Sequence, residues 1–425
     1  WFKRPHFRLL LLFFAFIMNF AAMNADSKEK SRIMLNYEKG PVGKLVWRLA
    51  IPAMFAQFGN ILYTVTDRIF VGNIPVSGQE WLASIGLCAP ILAMLTGIAA
   101  LVGVGGATVM NLYRGKKNGQ MAQAVVANSF ILLLLLAVLG MLILLPFKRT
   151  LLYAFGASAV LYPYANAYFS IYLCGTVFSL LSLGMNYFIQ GQGFAKQGMF
   201  AVMLGALLNL LLDPLFIFVF HWQGQGAAFA TVLAQVISCI YVLTFMLKKA
   251  DIRIIKMRPC LAIWWDILKI GALPFLMVFL DNFVMVAMNA SLQKYGGAMG
   301  DTYLAVMAVV QSFFMIATMP QNGIVDGTQG LISYNYGAGQ KERVRQILLF
   351  VFYLCGAYCL LMILCAFGGG FAFAHLFVQD PVYCALVARA IRIYFIGLLG
   401  VAVQYTLVDG LSAMGLIRYA IPLSL

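Results

Sequence analysis

The chain has 425 residues, 63% of them hydrophobic and 10% charged, with a mean hydropathy of +0.90. Soluble domains carry about 25% charged residues, so a soluble globular protein is excluded; the ~10-residue alternating segments of a transmembrane β-barrel are absent too. A net charge of +15 invites a nucleic-acid partner, but the bases sit in short connections between apolar runs and leave no basic face for one.

In chain order, residues 1–33 stand outside the expected fold. The run "LLLLFFAFIMNFAAM" (9–23) is short for a span; with Lys3, Arg4 and Arg8 before it and "AMNA" after it, it imitates a signal peptide. Cleavage there would put the next segment outside, against the loop charges, so Met34 is expected to be the true start. Apolar runs then predict spans near 45–70, 82–111, 122–147, 162–189, 198–220 and 226–247, a basic linker at 248–266, and further spans near 267–291, 302–333, 344–368 and 386–410. Lys and Arg collect in alternate connections: Lys116 and Lys117, then Lys248 to Arg258, then Lys341 to Arg345. "GNIPVSGQE" (72–80) and "HWQGQG" (221–226) have none. This positive-inside asymmetry places 112–120, 191–197, 248–266 and 334–343 in the cytoplasm.

The two halves repeat. "LAIPAMFAQFGN" (49–60) matches "GALPFLMVFLDN" (271–282), with Pro52 over Pro274 and Asn60 over Asn282 at an offset of 222 residues; Tyr113 falls on Tyr336 at 223. A six-span unit gives two copies pointing the same way, the arrangement of transporters whose site lies between parallel repeats. The expected fold is an all-α polytopic membrane protein with a six-helix lobe over 34–247 and a second lobe over 267–425. That second lobe is expected to be incomplete, because the chain stops while entering its fifth span.

Acids at bilayer depth cost roughly 2.5–3.5 kcal/mol on insertion scales, so each is a functional candidate. They are Asp67, Asp213, Asp281, Asp326 and Asp409. In the first span Gln57, Asn60, Thr64 and Asp67 share a helix face, and in the fifth Asn209 and Asp213 stand four apart. Asp67 has an alternative partner in Arg68, but no Lys or Arg lies within 16 positions of Asp213. A carboxylate withdrawn from water keeps its proton unless a cation or hydrogen bonds compensate, so Asp213 can take H⁺ or, with Asn209 and hydroxyls, offer oxygens to Na⁺. Pro214 adds a carbonyl one turn earlier that lacks its helical partner. The eight cysteines read as small lipid-compatible residues, and the three histidines are dispersed without zinc-ligand spacing. No nucleophile–base pair or H-E-x-x-H motif points to an enzyme. Met and aromatic residues suit a pliable cation cavity but serve as commonly as lipid-facing filler, and the Gly-rich runs read as close helix approach.

"LNLLLDPLFIF", "GAAFATVLAQ" (226–235), "YTVTDRIFVG" (63–72) and "GLISYNYGAGQKE" (330–342) resemble the multidrug and toxic compound extrusion (MATE) family, over essentially 34–425. The resemblance implies two six-helix lobes around a cleft and an antiporter that exports drugs for Na⁺ or H⁺. Its cation site would be Asp67, Asn209, Asp213 and Thr231. Its substrate cavity would include Gln57, Asn60, Tyr63, Thr64, Asn186, Asp281 and Asp326. Gln190 stands where many relatives carry Arg, and Asp326 where a neutral amide is more usual. A secondary transporter in a bacterial plasma membrane is implied, monomeric, with small molecules and lipid as partners and no cofactor beyond the coupling ion. The alternative is a lipid-linked oligosaccharide flippase, which needs a basic cleft for pyrophosphate.

Overall fold

The computed structural model describes residues 37–375 and 381–424; the expectations for residues 1–33 and Met34 lie outside them. The first half contains α1 (Val42–Gly72), α2 (Gly78–Gly115), α3 (Gly119–Ala154), α4 (Tyr162–Gly191), α5 (Ala195–Pro214, prolonged by a π turn, Leu215–Val219) and α6 (Gln223–Lys248). The second half contains α7 (Leu261–Gly296), α8 (Gly300–Gly337), α9 (Lys341–His375), α10 (Pro381–Ile396), α11 (Leu398–Ala413) and α12 (Ile417–Ser424). No strand occurs among the described residues. In a bilayer the helix satisfies its own backbone, which is why apolar runs of this length take that form. Local chemistry sets the ends: Asn118 caps α3 by accepting from the Met121 amide at 3.1 Å, and Pro163 stands in the first turn of α4.

The helices run past the expected spans at nearly every end, because interfacial residues continue the backbone ladder. The span expected at 386–410 is two helices, interrupted at Gly397. Among the described residues nine helical segments are long and apolar enough to cross a membrane, and α8 is not one of them. The 38-residue α8 is instead polar and central. Its Thr318, Thr328, Ser333 and Asn335 are buried and return their side-chain donors to carbonyls one turn back; Gln321 accepts from the Cys359 thiol. Packed on both sides by other helices, α8 does not need an oily surface.

The halves exchange their first helices at one end only. Leu45, Val46, Leu49 and Ala50 of α1 belong to the core of the second half, whereas Ala56, Phe70 and Val71 belong to the first. Ile263, Ile267, Ile270 and Leu273 of α7 belong to the first-half core, whereas Met288 and Leu292 pack against the second. Each crossover falls near the matched prolines, Pro52 and Pro274. The helix–helix contacts obey the repeat. Gly105 of α2 abuts the Ile267 carbonyl and the Gly271 amide of α7; Gly327 of α8, at an offset of 222, has room for no Cβ beside the Leu49 carbonyl of α1, 2.8 Å away. The interlocked end carries the basic connections, the end that the positive-inside rule assigns to the cytoplasm.

Candidate cation and substrate site

Three helices of the first half bring the expected cation residues together. Asp67 comes from the outer part of α1, Asn209 and Asp213 from adjacent turns of α5, and Thr231 from the third turn of α6; all four are buried. Asn209 Nδ2 donates to Asp213 Oδ1 at 3.1 Å and to Thr231 Oγ1 at 3.0 Å. Asp67 and Asp213 lie close enough for their charges to interact, and Tyr63 lines the same cavity as Thr231. Asp67 Oδ1 and Asp213 Oδ2 are buried without a hydrogen-bond partner. Arg68, the next residue in the chain, lies close enough to act on the Asp67 charge but forms no direct ion pair with it among the described residues. Two facing carboxyls in low dielectric cannot both stay charged without a counter-charge, and a shared proton or a small cation between the two free oxygens would supply it.

A cavity of about 210 Å³ adjoins the pair inside the first half. Asn60, Tyr63, Asn186, Asn209 and Thr231 line it, as the sequence suggested. The sequence reading missed Tyr172, Ser179 and Ser182 of α4 and Gln235 and Ser238 of α6. Gln235 Nε2 donates to Tyr172 Oη at 3.2 Å, and the Ser182 and Ser238 hydroxyls are 3.0 Å apart. The signal was present: Tyr172, Ser179, Ser182 and Asn186 recur at helical spacing, as do Thr231, Gln235 and Ser238. Drug-sized sites measure about 300–1,000 Å³, so in this conformation the cavity suits an ion and its water better than a drug.

The α1 stripe does not face one pocket. Thr64 gives its hydroxyl to the Asn60 carbonyl at 2.8 Å and is not part of the cavity lining. Gln57 turns to the junction of the halves, where its Nε2 donates to Asp326 Oδ2 of α8 at 3.3 Å. Beside Asp326 is a small polar pocket lined by Thr108, Asn111, Tyr187 and Gln190 of the first half and Ser333 of the second. Asp281 is exposed on the outer part of α7, away from the first-half cavity. None of Asp281, Asp326 and Asp409 lines the first-half cavity beside Asp67 and Asp213.

Comparison with known proteins agrees with this architecture. The MatE family profile matches residues 52–215 and again 275–423, once in each half. The chain is 24% identical over 389 residues to the multidrug export protein MepA of Staphylococcus aureus, covering 91% of this chain and 85% of that protein. The solved outward-facing conformation of a multidrug resistance MATE family transporter superposes with a TM-score of 0.85 at 24% identity, over 92% of this chain and 86% of that one. A MOP superfamily transporter from Pyrococcus furiosus, described as having a binding pocket of reversed polarity and a different function, gives the same score, identity and coverage. Two matched repeats and these relatives lead to one conclusion: the chain belongs to the MatE family, as a multi-pass transporter of the bacterial plasma membrane.

Proposed function

We propose that this transporter exports small lipophilic compounds, cationic ones among them, in exchange for Na⁺ or H⁺. The observation that carries the reading is the Asp67–Asp213 pair, buried with one unpartnered oxygen on each acid. A cation entering from outside would draw α1 toward α5 and α6. The same helix continues, past Gln57 and Pro52, into the core of the other half. Neutralising Asp67 can therefore bias the junction of the halves through one continuous rod.

Coupling requires that the ion bind one conformation better than the other. In the outward-open form the pair is aligned to receive it, and the acids of the second half offer the cleft to a positively charged compound. Ion binding would then release the compound outward before the halves rock. MepA, a 24% identical relative, is a multidrug export protein, which supports the substrate class. The flippase alternative finds less support, because the ionisable groups near mid-membrane are acids, and the buried Arg114 sits at the cytoplasmic end.

The test is dye efflux from vesicles under an imposed Na⁺ or pH gradient. Asp213→Asn should insert normally and export nothing above empty vesicles. Normal export by that variant at every gradient would reject the reading.

A further inference from the structure

The largest cavity described above is not the largest in the molecule. A second, of about 320 Å³, opens at the cytoplasmic end where α2, α7, α8 and the α11–α12 turn converge. Tyr113 and Lys116 enter it from α2, Asp266 and Lys269 from α7, and Tyr336 from α8. Tyr113 and Tyr336 are the pair matched by the repeat, so the cavity lies across the junction of the halves. Lys116 Nζ stands 5.5 Å from the centre of the Tyr113 ring. Among the described residues neither Lys116 nor Lys269 forms an ion pair, and Asp266 offsets one of the two charges.

Depth identifies what reaches this cavity. Trp264 and Trp265 immediately precede Asp266, and Trp265 is 68% exposed. Tryptophans at a helix end mark the headgroup level of the bilayer; Lys269 lies about one turn further along α7, on the bilayer side of them, and its flexible stem reaches back to the lipid phosphates.

The α1–α8 corner, related to this one by the repeat, shows what such a place accepts. There the chain supplies its own acceptors: Tyr334 donates to Glu38 at 3.1 Å, and Arg343 donates to the Tyr37 and Gly40 carbonyls at 2.8 and 2.6 Å. At the α2–α7 corner no described segment does this, and the cavity results.

We infer that this cavity is a binding site for the phosphate of an anionic phospholipid from the cytoplasmic leaflet. Lys116 and Lys269 would take the phosphate oxygens, the Tyr113 and Tyr336 hydroxyls would donate to the same group, and the acyl chains would run up the α7 surface. Basic pockets between spans on the cytoplasmic side bind anionic headgroups for this reason. A lipid held there bridges α2 to α7 and α8 at the end that must part when the cleft opens inward.

The test is lipid retention by the purified chain, read by native mass spectrometry after titration with POPG, with POPC or with inorganic phosphate. The parent should retain POPG in preference to POPC and gain nothing from phosphate. Lys116→Gln and Lys269→Gln should each lower POPG retention about fivefold, since a lysine at the surface of an anionic leaflet contributes about that factor. Both lysines are exposed, so these variants should purify like the parent; Lys116→Arg with Lys269→Arg keeps both charges and should keep the lipid. Undiminished POPG retention in the double Gln variant, or equal retention of POPC by the parent, would overturn the inference. Saturation by inorganic phosphate alone would overturn the lipid assignment in favour of a soluble anion.

Discussion

The acids of the two halves live in different surroundings. Asp67 and Asp213 are enclosed, Asp213 accepts from the Asn209 amide that also donates to Thr231, and each acid keeps one buried oxygen without a partner. Asp281 is open to the outside, and Asp326 stands on the junction with a glutamine of the other half as its partner. Under the proposed reading enclosure suits an ion site, because desolvated oxygens bind a small cation strongly and reject a large one. Under the same reading openness suits a substrate surface, because a bulky cation keeps part of its water. Both halves carry acids, and under the proposed reading their packing gives them different work.

Four substitutions would break or sharpen that contrast. Asp213→Asn has the largest expected effect, loss of all gradient-driven export with normal insertion; residual coupled export would mean that the enclosed pair is not the ion site. Gln57→Leu removes the donor that Asp326 receives across the junction. A hydrogen bond to a charged group is worth about 1.5–3 kcal/mol, so the inward-open population should rise about tenfold or more, read by labelling of cysteines placed near Gly105. Thr231→Val removes an oxygen from the pair's surroundings but no charge. The ion concentration for half-maximal transport should rise about tenfold while the maximal rate survives. Asp281→Asn, at an exposed site, should weaken cationic dyes about fivefold and leave neutral compounds unchanged in a competition assay. An equal loss for neutral compounds would make Asp281 structural.

Much of this was legible in the chain. Long apolar runs are a local signal, and the helices lie where those runs predict them. Asn209 and Asp213 were legible because a polar pair at a four-residue spacing stands out against leucine. Thr231 was found through family resemblance alone, since one threonine in an alanine-rich helix carries no signal of its own. The polar faces of α4 and α6 had the same periodicity as α1 but contain no acid, and hydroxyls are cheap enough in a membrane to pass unnoticed. What the sequence could not show was tertiary. That α1 and α7 each belong to one core at one end and to the other core at the other end depends on where Gly105 and Gly327 let backbones meet. The turning of Gln57 toward Asp326, and not toward Asp67, follows from that crossover.

The most direct measurement is of the ion itself: Na⁺ and H⁺ movement recorded in the same vesicles during substrate export, for the parent and for the chain with both Asp67→Asn and Asp213→Asn. The account predicts a counter-flow of one of the two ions with the parent, and no ion movement or export with the variant. Export by the variant with an undiminished counter-flow would contradict it.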